Sequence, residues 1–176
     1  ADEAIDPRPY CEVLRQWSTL HPEFAFLPRK FKIAVSGALE DRAATAWHDI
    51  GLVLRKNDAG EIGFEVRVGG GMGRTPIIGT VVRDFLPWQE YLNYCEAILR
   101  VYNRFGRRDN IWKARIKILV RSLGAEEFAR QVEEDYAALA GGPSTVPEEE
   151  YARVAAHFVP YGYAQGLDDS IDLRDN

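Results

Sequence analysis

Arg29, Lys30 and Lys32 place three cations within four residues, directly ahead of the apolar run Ile33-Ala34-Val35. In an extended chain successive side chains alternate between faces, so Lys30, Lys32, Ala34 and Ser36 share one face while Phe31, Ile33 and Val35 share the other. The two ammonium groups then lie roughly 7 Å apart at their backbone positions, with small residues beyond them. Cations held this way on a rigid element can grip an anion. The same pattern also describes an edge strand whose solvated lysines deter strand pairing, so the choice between the two turns on what else converges on this stretch.

Two further groups bear on it. Gly69-Gly70-Gly71, followed by Arg74, lets the backbone approach a ligand closely and can aim amide hydrogens at an anion; the alternative is a flexible glycine turn. It lacks the Gly-Lys-Ser/Thr ending of a phosphate-binding P-loop and the spacing of a dinucleotide fingerprint. From Arg100 to Arg121 there are eight cations against the single acid Asp109. On a helix, Arg108 and Arg115 fall two turns apart on one side, with Lys117 nearby, which suits two acidic groups of one ligand; the alternative is a solvated basic face. Of His21, His48 and His157, only His48, beside Asp49 at a strand start, falls near these groups. None has metal-ligand spacing, and no metal ligand set is assigned. Ser36, Ser122, Ser144 and Ser170 have no candidate base nearby in sequence, so nucleophilic hydrolysis is poorly supported.

The elements that must position these groups follow from the periodicity. Asp6-Pro7 opens a helix to about Leu20 with Tyr10, Val13, Leu14 and Trp17 at helical spacing. His48–Arg55 and Ile62–Val68 flank an Asn/Asp/Gly turn and read as a hairpin. Pro87 begins a long amphipathic helix ending near Gly106. A helix through Leu123 follows, with Ile111, Ala114, Ile118 and Leu119 facing inward. Gly124 starts an acid-rich helix to about Ala140, and Thr145-Val146-Pro147-Glu148 resembles a capping box opening a last helix to about Phe158. The expected fold is α+β, a mixed β-sheet of four or five strands covered by helices. One domain spans 1–176: a helical lead-in over 1–26, a core over 27–140, and a last helix with a linker to a following domain over 141–176.

Composition narrows the function classes. Hydrophobic residues at 46% and charged residues at 28% are globular values, and no apolar run is long enough to span a membrane. The acidic N-terminus carries no signal-peptide pattern, and the expected compartment is cytoplasmic. A net charge of -5 argues against a general nucleic-acid binder, and a basic block inside an acidic protein points to a particular anionic ligand. Cys11 and Cys95 alone cannot ligate a cluster or a structural zinc.

Taken in order, four motifs resemble the first sirohaem-side domain of the sulfite and nitrite reductase haemoproteins. They are Leu27-Pro28-Arg29-Lys30-Phe31-Lys32, His48-Asp49-Ile50-Gly51, Gly63-Phe64 with Val68-Gly69-Gly70-Gly71, and Arg108 to Gly124. Asp6 to Tyr10 and Ala155 to Phe158 also match, so the resemblance covers nearly the whole chain. It implies a reductase carrying sirohaem bridged to a 4Fe-4S cluster, delivering six electrons to sulfite or nitrite. Lys30 and Lys32 match the lysines that face the bound anion and help supply protons. Arg29, Gly69, Gly70, Gly71, Arg74, Arg108, Arg115 and Lys117 match positions that line the macrocycle or bind its carboxylates, and His48 is placed with them. Lys-x-Lys favours sulfite, because the ferredoxin-dependent nitrite enzymes tend to carry Asn at the place of Lys32; the Asp-Pro-Arg-Pro-Tyr lead-in keeps nitrite open.

In that family the cluster cysteines belong to a later domain and further substrate-binding arginines to an earlier one. The resemblance therefore implies one domain of an enzyme, inactive and without bound cofactor in isolation, whose partners are the other domains, the anion, and a ferredoxin or flavoprotein reductase as electron donor. Two other readings stay open: a free-standing anion-binding module, and RNA binding through the Arg100 to Arg121 block with a steep salt dependence.

Overall fold

The computed structural model describes residues 3–158. Asp6 accepts the Arg8 amide at 2.9 Å, and α1 (Arg8–Ser18) follows with Tyr10, Val13 and Leu14 buried at helical spacing. His21 then caps the single turn α2 (Pro22–Ala25), its Nδ1 accepting the Glu23 amide at 3.3 Å.

Four strands form one mixed sheet in sequence order: β1 (Ile33–Ser36), β2 (Ile50–Lys56), β3 (Ile62–Val68) and β4 (Thr80–Pro87). β1 runs parallel to β2, with Ile33 opposite Ile50, and the other pairs are antiparallel. The β2–β3 hairpin is the expected one: Asn57 Oδ1 accepts the amides of Ala59 and Glu61 across the turn. β4 carries no clean alternation because its pairing to β3 shifts register near Val66 and most of its side chains are only partly covered. It is the strand the sequence pattern does not single out.

A short 3-10 turn, Trp88–Glu90, precedes α3 (Tyr91–Phe105). α3 is buried on nearly all sides, as a helix in the middle of a domain must be. α4 (Ile116–Leu123), α5 (Ala125–Leu139) and α6 (Glu148–Ala155) complete the helical layer. One core joins α1, β2, β3, α3 and α5, and Val154 of α6 reaches it. Tyr10 stands edge-on to Phe64 at 5.4 Å, and the Tyr91 hydroxyl donates to the Tyr10 carbonyl at 2.9 Å, so the lead-in helix is part of the core.

Three local expectations are corrected. Lys30 and Lys32 lie ahead of β1, because β2 offers a strand partner only from Ile50 onward. The alternation nevertheless holds: Phe31, Ile33 and Val35 pack on the core while Lys30 and Lys32 are exposed. The segment after Gly106 is not one helix. Asn110 caps a 3-10 turn at Ile111–Lys113, and α4 begins only after Arg115, so Ile111 is exposed and Arg108 sits in irregular chain. Thr145 does not cap α6, whose N-cap is Pro147; its hydroxyl donates to Glu90 at 2.8 Å and accepts from Asn93 at 2.8 Å. The expected linker beyond Pro160 lies outside the described residues.

Candidate anion and cofactor site

Asp49 is the hub that gathers the separate motifs. It immediately precedes β2, with its side chain fully buried. Its Oδ1 accepts both Nε and Nη2 of Arg115, at 3.0 and 2.7 Å. Its Oδ2 accepts the backbone amide of Lys32 at 3.0 Å, and its carbonyl accepts the Gly69 amide at 3.0 Å. One carboxylate therefore ties the lysine stretch to the residue that opens α4, and its own backbone ties in the glycine loop.

Above this hub are two adjoining clefts, of about 540 and 600 Å³, that share Lys30, Met72, Gly73 and Arg115. Arg29, Arg74 and Lys117 line the first, and Lys32 and His48 line the second. Seven of the eleven predicted site residues thus face one continuous surface. Lys30, Lys32 and Arg74 have no ion pair or hydrogen-bonded side-chain partner among the described residues, and all three are exposed. Arg29 holds its guanidinium 5.9 Å from the Trp112 ring centroid. His48 Nδ1 lies 2.8 Å from the Ala44 carbonyl, which turns its Nε2 edge away from that loop.

The remaining predictions change in role. Gly69 and Gly71 do not cradle an anion, because their amides point inward, Gly69 to Asp49 and Gly71 to the Ile77 carbonyl at 2.9 Å. Their value is close approach: a Cβ on Gly70 would lie 2.4 Å from the Ala46 carbonyl oxygen, and one on Gly71 would lie 2.9 Å from Lys117 Cδ. Lys117, only 7% exposed, donates to the Met72 and Thr75 carbonyls at 3.0 and 2.6 Å. It pins the loop that forms the cleft wall. Burial, and next the Arg115 charge, lower its pKa, and Asp49 opposes them. Arg108 lines neither cleft. It donates to the Phe26 carbonyl at 2.6 Å and to Asn103, fastening the chain after α3.

Two kinds of site residue escape the sequence reading. Asp49 is one, although an acid leading into Ile-Gly-Leu-Val-Leu is bound for burial and so for a cationic partner. The others are the apolar rim residues Met72, Ile111 and Trp112, exposed at 65%, 55% and 82%. Trp112 and Ile111 sit in a basic segment where helical periodicity assigns apolar residues to the core.

Cations around an open apolar surface fit a flat polycarboxylate, since guanidinium and ammonium meet the carboxylates while the rim contacts the ring. The residues do not fit an iron–sulfur cluster. Among the described residues no group of His, Cys, Asp and Glu could hold a metal ion. Burial pushes the Cys95 thiol up to about 12, whereas a ligand must be thiolate.

Fold and site together define an α+β domain with a cation-rimmed cleft. Residues 1–139 match the family described as the nitrite and sulphite reductase 4Fe-4S domain, and the chain belongs to that family. Sulfite reductase (ferredoxin) 1 of Mycolicibacterium paratuberculosis is 34% identical over 148 residues, 83% of this chain and 26% of that protein. The chloroplastic ferredoxin–nitrite reductase of Arabidopsis thaliana is 31% identical over 137 residues, 75% of this chain and 23% of that protein. The solved structure of the Mycobacterium tuberculosis NirA protein superposes with a TM-score of 0.69 at 30% identity, covering 78% of this chain and 25% of that one. The chain spans about a quarter of the length of the curated relatives it matches. Among the described residues no helix is long and apolar enough to cross a membrane.

Proposed function

We propose that this domain forms the cationic wall of a sirohaem reductase site, where it holds the macrocycle's carboxylates and the sulfite or nitrite anion to be reduced. The observation that carries this reading is that Lys30, Lys32 and Arg74 line the same surface with no internal partner among the described residues. Unpaired cations held together repel one another, and an anionic ligand relieves that repulsion. Sirohaem, when bound, supplies the iron centre and the route for electrons. The chain's own residues do the rest. Arg29 and Arg74 meet carboxylates from the rim, where guanidinium forks give bidentate contacts. Trp112, Met72 and Ile111 would supply apolar contact to the ring. Lys30 and Lys32 stand at the adjoining cleft as ammonium donors, stabilising negative charge on the oxyanion and giving protons to oxygens as they leave. Sulfite is the favoured substrate because both lysines are present. The 4Fe-4S cluster, the remaining anion-binding groups and the contact with a ferredoxin or flavoprotein donor belong to other parts of the enzyme.

Titrating the chain with uroporphyrin, a planar tetrapyrrole ringed with carboxylates, tests this. Against the expectation that the isolated domain carries no cofactor, the unpaired cleft cations predict saturable binding, weakened by raised salt and by Arg29→Ala or Arg74→Ala. Binding no tighter than to an unrelated acidic protein would reject the reading. In the full-length enzyme, Lys30→Ala or Lys32→Ala should retain the cofactor and lose turnover.

A further inference from the structure

An acid at the floor of a site meant for anions is unexpected on charge alone. Asp49 is fully buried, and it lies against Arg115, whose side chain is 17% exposed and lines both clefts. If net field decided the affinity of this surface, the carboxylate would oppose the ligand.

We propose that Asp49 is the positioning residue of this site, giving up net charge in order to fix the direction of Arg115 and the backbone of Lys32 at once; this rests on the cleft binding a polycarboxylate macrocycle and an oxyanion. Its grip on Arg115 is through Nε and Nη2, which sets the guanidinium plane and leaves Nη1 without a hydrogen bond among the described residues. That edge of the fork is the one a ligand carboxylate can use. Lys32 is fixed on both sides of its own backbone. Its amide donates to Asp49 Oδ2, and its carbonyl accepts the Ile50 amide at 3.1 Å. Asp49 and Ile50, consecutive residues at the entry to β2, therefore decide where the Lys32 side chain departs. Long cationic side chains lose much rotamer entropy when a ligand orders them, so a cation ordered beforehand binds more tightly than a free one.

The two views of Asp49 predict opposite signs. Asp49→Asn raises the net positive charge of the site, so a field-only account expects tighter uroporphyrin binding. Positioning expects weaker binding, by about tenfold, the lower end of what orienting partners contribute at other sites. Affinity is measured well below the unfolding midpoint, so that a merely structural loss does not alter it. No binding by the unaltered chain overturns the proposed function and this assignment together. Binding by Asp49→Asn that equals or exceeds that of the unaltered chain overturns this assignment alone. If the variant does not fold, the Arg115 Nε–H resonance of the unaltered chain decides the matter. Slow hydrogen exchange together with a shift on adding uroporphyrin supports positioning, and exchange as fast as at the exposed arginines refutes it.

Discussion

The Arg100 to Arg121 block and the cleft cations Lys30, Lys32 and Arg74 look alike in sequence but meet different surroundings in the fold. In the block, Arg100 pairs with Glu96 at 2.6 Å, Arg104 with Asp135 at 3.0 Å, and Arg107 with Asp109. Arg108 and Lys117 hold backbone carbonyls, and Arg115 holds Asp49. Six of its eight cations are therefore engaged by the protein itself. The cleft cations have no such partners among the described residues. Density of charge along a chain measures how many acceptors the fold must satisfy; a ligand site is where charge gathers in space and stays unsatisfied.

Stability measurements can break this contrast, and the largest effect should come from Arg115. Replacing it with Ala strands the buried Asp49 carboxylate, and stranding a buried charge costs about 3–5 kcal/mol. Urea unfolding should show a loss of that order, and a loss below about 1 kcal/mol would place Arg115 among ordinary surface cations. Lys117→Met comes next. It keeps the stem and removes the ammonium from the Met72 and Thr75 carbonyls, with an expected cost of about 2–3 kcal/mol, in the range for hydrogen bonds to charged groups. Amide exchange of Gly71 and Ile77, which bond each other at 2.9 Å in both directions, should speed up. Unchanged exchange there would remove the loop-pinning role. Arg104→Ala lies lower again. Its pair with Asp135 is half exposed on the arginine side, so about 0.2–1 kcal/mol is expected. High salt should shrink that difference, while uroporphyrin binding stays unchanged.

The same contrast explains what the sequence made legible. The hairpin was readable because Asn57 and Gly60 carry turn chemistry between two β-rich runs, and α1, α3 and α5 because their apolar residues recur at helical spacing. The lysine stretch was readable because alternation separates Phe31, Ile33 and Val35 from Lys30 and Lys32. Asp49 was not, since its place in the fold comes from two contacts distant in sequence, to Lys32 and to Arg115. Arg108 misled because a helical count assumes a helix, and Gly106 had already ended it. Thr145 misled for a related reason: a capping motif is local, whereas Glu90, 55 residues away, offers its hydroxyl a competing acceptor. The local rules worked where local chemistry decided the structure, and failed where a distant partner satisfied the same polar group.

The smallest effect is the most informative about the cleft itself. Lys30→Ala and Lys32→Ala remove exposed side chains with no partner among the described residues, so the urea midpoint should not move within experimental scatter. What should change is the response to ligand. A ligand that binds only the folded state stabilises it by about 0.4 kcal/mol when its concentration equals its dissociation constant, and by more as it saturates the site. Sulfite added to the unaltered chain should therefore raise the unfolding midpoint slightly. Nitrite should raise it less, and sulfate at matched ionic strength not at all. Either lysine substitution should abolish the sulfite shift without changing the midpoint measured in its absence. A sulfite shift that persists in both variants would detach the anion from the lysines, and an equal response to all three anions would reduce the site to screening of a cationic surface. A lowered midpoint in the absence of any ligand would instead place these lysines with the engaged cations of the basic block.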